Sequence, residues 1–243
     1  MSILIITSTV YVNSLQTVLT DPNIRLQQYI DSIIYYLNTK NIKKIIVCDN
    51  SGFDYSKITS INEKIKKSDK ELELLNFQGN TECIKEFGKG YGEGEIMRFI
   101  FKNSKLIQGE EISFIKITGR LQIKNIDLVL QFLNPKSEYF QPVNLNPFID
   151  LKKVDTRFYQ CSKIVFQNVL ENSYFEVDDK TNKFLEHVYY NKLKINKIKF
   201  KSFLVLPKFS GISGSTGIVY EMSNATFMIR QFIHLIFKSL FKR

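Results

Sequence analysis

The first fifty residues contain two short apolar runs separated by an amphipathic segment, and this pattern limits the possible folds more than any other feature. Residues 3–10 (ILIITSTV) and 44–49 (KIIVCD) are rich in β-branched side chains, which is typical of buried parallel strands. Between them, residues 23–39 place apolar side chains at helical spacing. The crossover of such a β-α-β unit is right-handed, so the two strands lie side by side with their carboxyl ends at one edge of the sheet. Open α/β sheets bind ligands at that edge, and we expect a site there.

Later segments continue the pattern. Short strands are predicted at 71–77 and 113–125, the second running into a turn at Gly119, with a helix at 95–107 between them. The remaining predictions are a helix at 126–134, an irregular proline-containing loop at 134–147, a strand and helix at 148–170, a helix at 180–193, a strand at 200–206 and a loop at 207–217. The sequence therefore predicts an α/β fold with a mostly parallel central sheet flanked by helices. A chain of 243 residues is long enough for one domain with its own core.

Composition excludes several classes of protein. The three cysteines, Cys48, Cys83 and Cys161, are an odd number without metal-ligand spacing, so we predict neither a disulfide framework nor a zinc module. The first residues lack a basic leader and a cleavage motif, which favours a buried strand over a signal peptide. No apolar run reaches the roughly 18 residues that a transmembrane helix needs. These observations favour a reducing, cytoplasmic compartment.

The charge balance favours anionic partners. The chain has 34 Lys+Arg against 24 Asp+Glu, a formal charge of +10, which suits nucleotide phosphates, nucleic acid or an acidic membrane surface. Most of the cations are lysines in a chain that is also rich in Ile, Asn and Phe, and an AT-rich genome produces that bias without any function. The arginines are therefore more informative. They are Arg25, Arg98, Arg120, Arg157, Arg230 and Arg243.

Two stretches resemble the GT-A glycosyltransferases. The segment 45–54 (IIVCDNSGFD) is similar to the strand and turn in which that family carries an acid that contacts the nucleotide. The segment 88–120 follows the family's order of glycine-containing loop, helix and strand. The resemblance implies a single GT-A-like (Rossmann-like) domain of a bacterial surface-polysaccharide enzyme with a nucleotide-sugar donor. It gives the nucleotide contacts to Asp49 and Asn50, and we place Thr7 in the same group.

The DxD metal motif of that family is missing. Where the resemblance places it, the chain has Lys116-Ile117-Thr118-Gly119-Arg120. The metal of such a site neutralises charge on the departing nucleotide diphosphate, and a guanidinium can do the same through paired hydrogen bonds. We therefore expect no divalent metal and no other cofactor. Lys116 and Arg120 are predicted to bind the diphosphate, and Arg120 also to act in catalysis. The alternative is that Gly119 and Arg120 form an exposed turn after the strand.

Further candidate residues lie in the second half of the chain. Arg157, in the cluster 155–157 (DTR) ahead of a predicted helix, is expected to bind a phosphate or an acceptor carboxylate. The alternative is a surface ion pair in which Asp155 caps the helix. An inverting transfer needs a base for the acceptor hydroxyl. We predict Glu186 as this base or as a group that orients the acceptor, with Asp179 second and His187 as a further alternative. Carboxylates on helices are more often simply solvated.

Two glycine-rich segments have open interpretations. The segment 88–94 (GKGYGEG) is predicted to be a loop, but it matches neither a P-loop nor a dinucleotide-binding fingerprint. Its acids, Glu93 and Glu95, would bind sugar hydroxyls or favour a helix N-terminus electrostatically. The segment 210–217 (SGISGSTG) is either a loop that closes over the diphosphate or the acceptor, or an ordinary turn.

The tail is basic and amphipathic. Positions 230, 234, 238 and 242 carry cations or histidine at i, i+4 spacing, and apolar residues cover much of the remainder. We predict a glycosyltransferase domain over 1–222 and an interfacial helix over 223–243, whose basic stripe faces anionic headgroups while its apolar side enters the bilayer. The enzyme would then be peripheral on the inner face of the cytoplasmic membrane and act on a glycan or lipid-linked acceptor. A core or oligomer helix is the alternative, and no oligomeric state is predicted.

Other functions compete with this interpretation. A basic α/β nucleic-acid-binding protein fits the charge, but the RNP-like aromatic consensus is missing, so we predict no nucleic-acid partner. A catalytically degenerate glycosyltransferase scaffold fits the missing DxD motif. A sugar nucleotidyltransferase would have a glycine-rich phosphate signature after its first strand, where this chain has 7–9 (TST).

Overall fold

The computed structural model describes residues 3–14, 17–144, 146, 149, 151–214 and 216–241. The strands are β1 (Ile3–Ser8), β2 (Lys44–Asp49), β3 (Glu71–Asn76), β4 (Ser113–Thr118), β5 (Gln122–Ile123), β6 (Glu138–Pro142), β7 (Val154–Ser162), β8 (Phe200–Lys201), β9 (Phe209–Ile212) and β10 (Val219–Tyr220). The helices are α1 (Pro22–Leu37), α2 (Thr59–Lys66), α3 (Thr81–Phe87), α4 (Lys89–Asn103), α5 (Ile126–Gln131), α6 (Lys163–Val165, continued by a π turn at Phe166–Leu170), α7 (Leu185–Ile195) and α8 (Asn224–Phe241). Single 3₁₀ turns lie at Tyr55–Lys57, Ser173–Glu176 and Asp179–Thr181.

The predicted α/β fold is confirmed. A seven-stranded sheet has the order β3-β2-β1-β4-β7-β6-β8. β3, β2, β1 and β4 run parallel, β7 runs against β4 and β6, and β8 is parallel to β6. β1 pairs with β2 on one side and with β4 on the other, so the chain reverses its winding direction at β1. Such a switch point opens a crevice at the carboxyl ends of the strands.

Side chains that alternate along the strands enter two cores, one on each face of the sheet. In β1, Ile3 and Ile5 pack with α4 and α7, whereas Leu4 and Ile6 pack with α1 and α5. Because both faces are covered, the central strands are apolar at nearly every position, which is why they are recognisable in the sequence.

The antiparallel strand β7 brings the second half of the chain to the same edge of the sheet. Ser113 pairs with Ser162, and Ile117 pairs with Phe158. The beginning of β7 therefore lies beside the end of β4. This register places the cluster 155–157 within a strand, so the prediction that it precedes a helix is wrong.

The glycine-rich segment predicted as a loop is helical. Gly88, with φ of 99°, separates α3 from α4, and the following glycines lie inside α4. Gly90 and Gly94 are one turn apart and face the segment between α6 and α7. A Cβ on Gly94 would overlap Tyr174, and one on Gly90 would lie 3.1 Å from Val177 Cγ1. These glycines permit close packing of α4.

We expect Gly94→Ala to destabilise the protein by about 1–3 kcal/mol, because the new methyl group overlaps Tyr174 in a packed core. Gly92→Ala is the matched control. Its methyl group would lie 3.1 Å from Asn50 Nδ2, and the better helix propensity of alanine, about 1 kcal/mol, offsets that contact. Urea unfolding of the two variants measures the difference, and equal stability would contradict the packing role of Gly94.

Two further segments differ from their predictions. The segment 134–147 contains β6, an internal strand whose only proline, Pro142, stands at its end. The expected strand at 200–206 is limited to β8, and the loop at 207–217 includes β9, which pairs with β5 and β10 in a small antiparallel sheet. Proline blocked regular structure less than expected because it occupies a strand end.

Helix α8 lies on the protein with its polar stripe inward. Gln231, His234 and Lys238 hydrogen-bond to the segment 202–206; Lys238 Nζ and His234 Nε2 each lie 2.6 Å from one of its backbone carbonyl oxygens. The prediction that the stripe faces headgroups is therefore wrong at positions 234 and 238, whereas Arg230 is exposed. The last position of the stripe, 242, lies outside the described residues. The rest of the helix carries exposed apolar side chains, which are Met228, Ile229, Phe232, Ile233, Leu235, Ile236 and Leu240.

Candidate functional site

A cavity of about 450 Å³ opens at the carboxyl ends of β1 and β4, where the sheet topology predicts a ligand. Its volume suits a small organic ligand. The structure brings together five of the residues predicted to form the site, which are Thr7, Arg120, Arg157, Asp179 and Glu186. The segment 210–217 also contributes to the lining, through Ile212, Ser213, Gly214 and Thr216.

The buried guanidinium groups of Arg25 and Arg120 line one side of the cavity. We call this the cationic side. The two Cζ atoms lie 5.8 and 5.9 Å from the centroid of the Tyr29 ring. In the part of the chain that the structure describes, neither forms an ion pair with a carboxylate. Burial lowers the pKa of Arg25, and the nearby Arg120 lowers it further. Two neighbouring cations without a counter-ion favour an anion in the cavity.

Close backbone packing positions Arg120. The Gly119 N–H donates to the Thr7 carbonyl at 2.9 Å, and a Cβ on Gly119 would lie 2.5 Å from that oxygen. The Arg120 guanidinium donates to Gln28 Oε1 at 3.2 Å and is covered by Gly214, where a Cβ would overlap it. The Gly-Arg pair is thus a tight, buried turn at the end of β4 and not an exposed one.

Arg25 is held by backbone carbonyl groups. Its Nε and Nη2 donate to the Thr9 oxygen at 2.9 and 2.6 Å, and its Nη1 donates to the Leu19 oxygen at 3.0 Å. Arg25 is not among the residues that the sequence predicts for the site. The signal was available, since Arg25 is the only cation of α1 and precedes the buried Tyr29 by one turn.

Carboxylates from helices form the opposite, carboxylate side of the cavity. Glu186, in the first turn of α7, accepts from Thr156 Oγ1 at 3.2 Å. Burial raises the pKa of Glu186, and the nearby Glu93 raises it further. Asp179 is only 4% exposed, and burial raises its pKa despite the opposing Lys89 ammonium and N–H. Both acids therefore hold a proton more readily than ordinary surface carboxylates.

Lys116 does not face the cavity. Its side chain is fully buried, and its Nζ donates to Glu93 Oε1, to Thr118 Oγ1 at 3.1 Å and to the Thr156 oxygen at 2.7 Å. All three donor positions of the ammonium are used. The prediction that Lys116 binds a diphosphate is wrong, because this ammonium group does not line the cavity. It instead fixes the side chain of Glu93, which does.

Asp49 and Asn50 are also internal. Asp49 is fully buried and accepts hydrogen bonds from Ser8 Oγ at 2.9 Å, Val10 N at 3.0 Å and Ser51 N at 2.7 Å. Asn50 is buried too, and neither side chain lines the cavity. Their predicted nucleotide contacts do not hold in this structure. Asp49 instead organises the loops that follow β1 and β2.

Arg157 lines the cavity as part of a neutral pair. Its Nε and Nη2 donate to the two oxygens of Asp155 at 2.9 and 2.6 Å. Its Cζ lies 4.6 Å from the Phe209 ring centroid and 5.1 Å from that of Tyr220. The ion pair that was considered as the alternative is present, but it stands in the cavity wall and caps no helix.

The residues at the end of β4 do not fit a divalent metal. The segment 116–120, where the resemblance to GT-A enzymes suggested a DxD motif, contains the buried cations Lys116 and Arg120, which repel a further cation. Among the described residues there is no group of three or more His, Cys, Asp or Glu side chains that could bind one.

No protein-family model matches the sequence, and no curated protein matches it significantly. Among solved structures, the chain is similar to a protein described as a nucleotide-diphospho-sugar transferase from Desulfovibrio desulfuricans G20 (10% identity, 83% of this chain and 79% of that one, TM-score 0.49). It is also similar to the glycosyltransferase GlyE of Streptococcus pneumoniae TIGR4 (9%, 83% and 45%, 0.46) and to a CMP:2-keto-3-deoxy-manno-octonic acid synthetase (9%, 98% and 99%, 0.41). Because these scores lie below 0.5, the fold assignment rests on the strand order, and any function must rest on the site itself.

Proposed function

We propose that the protein is a glycosyltransferase that moves a sugar from a nucleoside diphosphate sugar to a hydroxyl group of a glycan or lipid-linked acceptor. One observation carries the proposal. The two guanidinium groups without a carboxylate partner, Arg25 and Arg120, face the same cavity as Glu186 and Asp179, at the switch point of the sheet. A donor with a charged diphosphate and a neutral sugar matches such a divided cavity.

The proposed reaction divides the work between the two sides. The diphosphate lies against Arg25 and Arg120, and the sugar extends toward Glu186. As the bond from the anomeric carbon to the diphosphate oxygen breaks, the guanidinium groups stabilise the negative charge on that oxygen. The ionised Glu186 accepts the proton of the acceptor hydroxyl, whose oxygen bonds to the anomeric carbon. Asp179 is the second candidate for this base. The products are the glycosylated acceptor and a nucleoside diphosphate.

Turnover tests this proposal. The full chain is incubated in EDTA with UDP-, GDP- and dTDP-sugars, and released nucleoside diphosphate is measured with and without added glycan acceptors. We expect release with one nucleotide family and no requirement for a divalent metal. Failure to release nucleoside diphosphate from any of these donors, with or without Mn²⁺, would contradict the proposal and favour the degenerate-scaffold alternative.

We further propose that the enzyme is peripheral on the cytoplasmic face of the membrane and contributes to surface-polysaccharide synthesis. The support is the outward apolar face of α8, together with a net charge of +10 that attracts anionic headgroups. In this arrangement the apolar side enters the interface as predicted, while the polar stripe holds the helix to the protein. Within the described residues, no helix is long and apolar enough to cross a bilayer.

The triple variant Met228→Ser, Phe232→Ser and Leu240→Ser removes side chains that are 65%, 64% and 70% exposed. We expect its partitioning onto anionic liposomes to fall at least about tenfold, since each lost side chain removes apolar area that the interface would bury. Ile195→Ser with Leu128→Ser is the control, because both residues are exposed and lie outside α8. Equal co-sedimentation of the two variants would assign the outward face to another partner.

A further inference from the structure

A second cavity, of about 260 Å³, adjoins the first. The two share four wall residues, which are Val143, Asp155, Arg157 and Tyr220. The paired Asp155 and Arg157 side chains, with Phe209 and Tyr220 against the guanidinium, therefore form a partition with a cavity on each side. Nothing in the proposed donor chemistry uses this second space.

The lining of the second cavity is apolar with charged groups among it. The apolar and aromatic part includes Leu206, Phe209, Val219, Tyr220, Met222 and Phe227. Because Asp155 is paired with Arg157, the other charged residues are Lys208 and Arg230 against Glu221, which leaves an excess of positive charge. Lys208 Nζ lies 5.9 Å from the Phe227 ring centroid. Apolar walls with excess cations suit a molecule that combines an apolar chain with an anionic group.

Helix α8 borders the same cavity. Phe227 and Arg230 belong to this helix and line the cavity, and Met228 and Phe232 on the same helix are exposed. An apolar chain that leaves the cavity beside Phe227 would meet the exposed side chain of Met228, the next residue of α8. Its polar end, inside the cavity, would meet the partition that borders the donor cavity.

We propose that the second cavity binds an amphiphilic acceptor whose anionic headgroup, of phosphate character, contacts Lys208 and Arg230 while its apolar chain lies along α8. This inference rests on the proposed glycosyltransferase function and adds the chemical class of its acceptor. The acceptor hydroxyl reaches Glu186 past the Asp155–Arg157 partition. The partition keeps donor and acceptor in separate spaces and joins them only at the reacting groups.

Binding of dodecyl phosphate below its critical micelle concentration, followed by calorimetry on the full chain, tests this proposal. Met222→Trp fills the cavity, and Leu128→Trp places the same ring on an exposed site outside both cavities. We expect wild type and Leu128→Trp to bind equally and Met222→Trp to bind at least about tenfold more weakly, a difference of about 1.4 kcal/mol. Arg230→Gln, at an exposed residue, should weaken dodecyl phosphate but not the neutral dodecyl maltoside.

Each alternative result has a definite meaning. No binding of dodecyl phosphate to wild type, or equal binding by Met222→Trp, would overturn the proposal, the latter by placing the amphiphile on α8 alone. Inorganic phosphate that binds as tightly as dodecyl phosphate would reduce the site to an anion site and overturn the amphiphile. In the same samples, nucleotide sugars should raise the melting temperature of Met222→Trp as in wild type, because Met222 does not line the donor cavity. If no nucleotide sugar does so in wild type while dodecyl phosphate binds as expected, the glycosyltransferase assignment fails and the amphiphile site remains.

Discussion

Arg120→Met should reduce kcat/KM for sugar transfer by about 10²–10³ while leaving the protein folded, because it removes one of two groups that stabilise the departing diphosphate. The free energy of unfolding should change by no more than about 1 kcal/mol. The variant loses the hydrogen bonds to Gln28 and to the Ile212 carbonyl oxygen, but it also removes the unfavourable charge beside Arg25. A site that binds an anion is expected to lower the stability of the ligand-free protein, because its cations repel each other until the anion is present.

The matched control for this prediction is Lys85→Met, which removes one positive charge from the exposed surface of α3. It lowers the net charge equally and should leave both turnover and stability unchanged. Steady-state kinetics and urea unfolding of the two variants separate a local role of Arg120 from the effect of net charge. Turnover by Arg120→Met that equals that of Lys85→Met would remove Arg120 from the mechanism.

Glu186→Gln should reduce turnover by about 10²–10⁴, the usual contribution of a positioned general base. The variant should at the same time be more stable than wild type at neutral pH. Burial raises the pKa of Glu186 in the folded protein above its value in the unfolded chain. The contribution of Glu186 to the free energy of unfolding is therefore fully present below the pKa of the unfolded chain, and it is lost as pH rises through the pKa of the folded protein. Glutamine carries no charge, so position 186 of the variant contributes no loss of stability over that pH range.

Two pH series test the Glu186 prediction. In thermal unfolding, the stability advantage of Glu186→Gln should shrink as the pH falls toward the ordinary range for glutamate. In kinetics, the activity of wild type should rise through a pKa above that range, because only the ionised carboxylate accepts a proton. A stability difference that grows toward acid pH would show that the folded state prefers the charged form, against the burial argument. Glu176→Gln, at a carboxylate whose pKa is lowered by its hydrogen bond with Lys192, should show the opposite trend in stability.

The first half of the fold could be predicted from the sequence because the patterns that define its strands and helices are local. β1, α1, β2, β3 and β4 all lie within a few residues of their predicted positions, since each is an apolar run or a helical stripe between clear turns. The segments that failed depend on distant contacts. Alternating glycines in α4 permit packing against Tyr174, and β6 exists because β7 pairs with it.

The same distinction separates the site predictions. Arg120 and Glu186 line the cavity because each sits at or beside the end of an element whose position could be predicted. Asp49 and Lys116 were assigned by the order of motifs. That order does not reveal that groups of the protein itself form hydrogen bonds with both side chains and so keep them from a ligand. Arg157 lines the cavity because it lies in β7, not because it precedes a helix as predicted. The sequence does not show that β7 is antiparallel to β4.

Thermal unfolding in EDTA tests whether the cationic side binds the diphosphate of a nucleotide sugar without a metal. Ligand that binds the native state raises the melting temperature. We predict that one family of nucleoside diphosphate sugars does so for wild type and for Lys85→Met, and that Arg120→Met abolishes the rise. A rise that requires Mn²⁺, that persists in Arg120→Met, or that no nucleoside diphosphate sugar produces would contradict such binding.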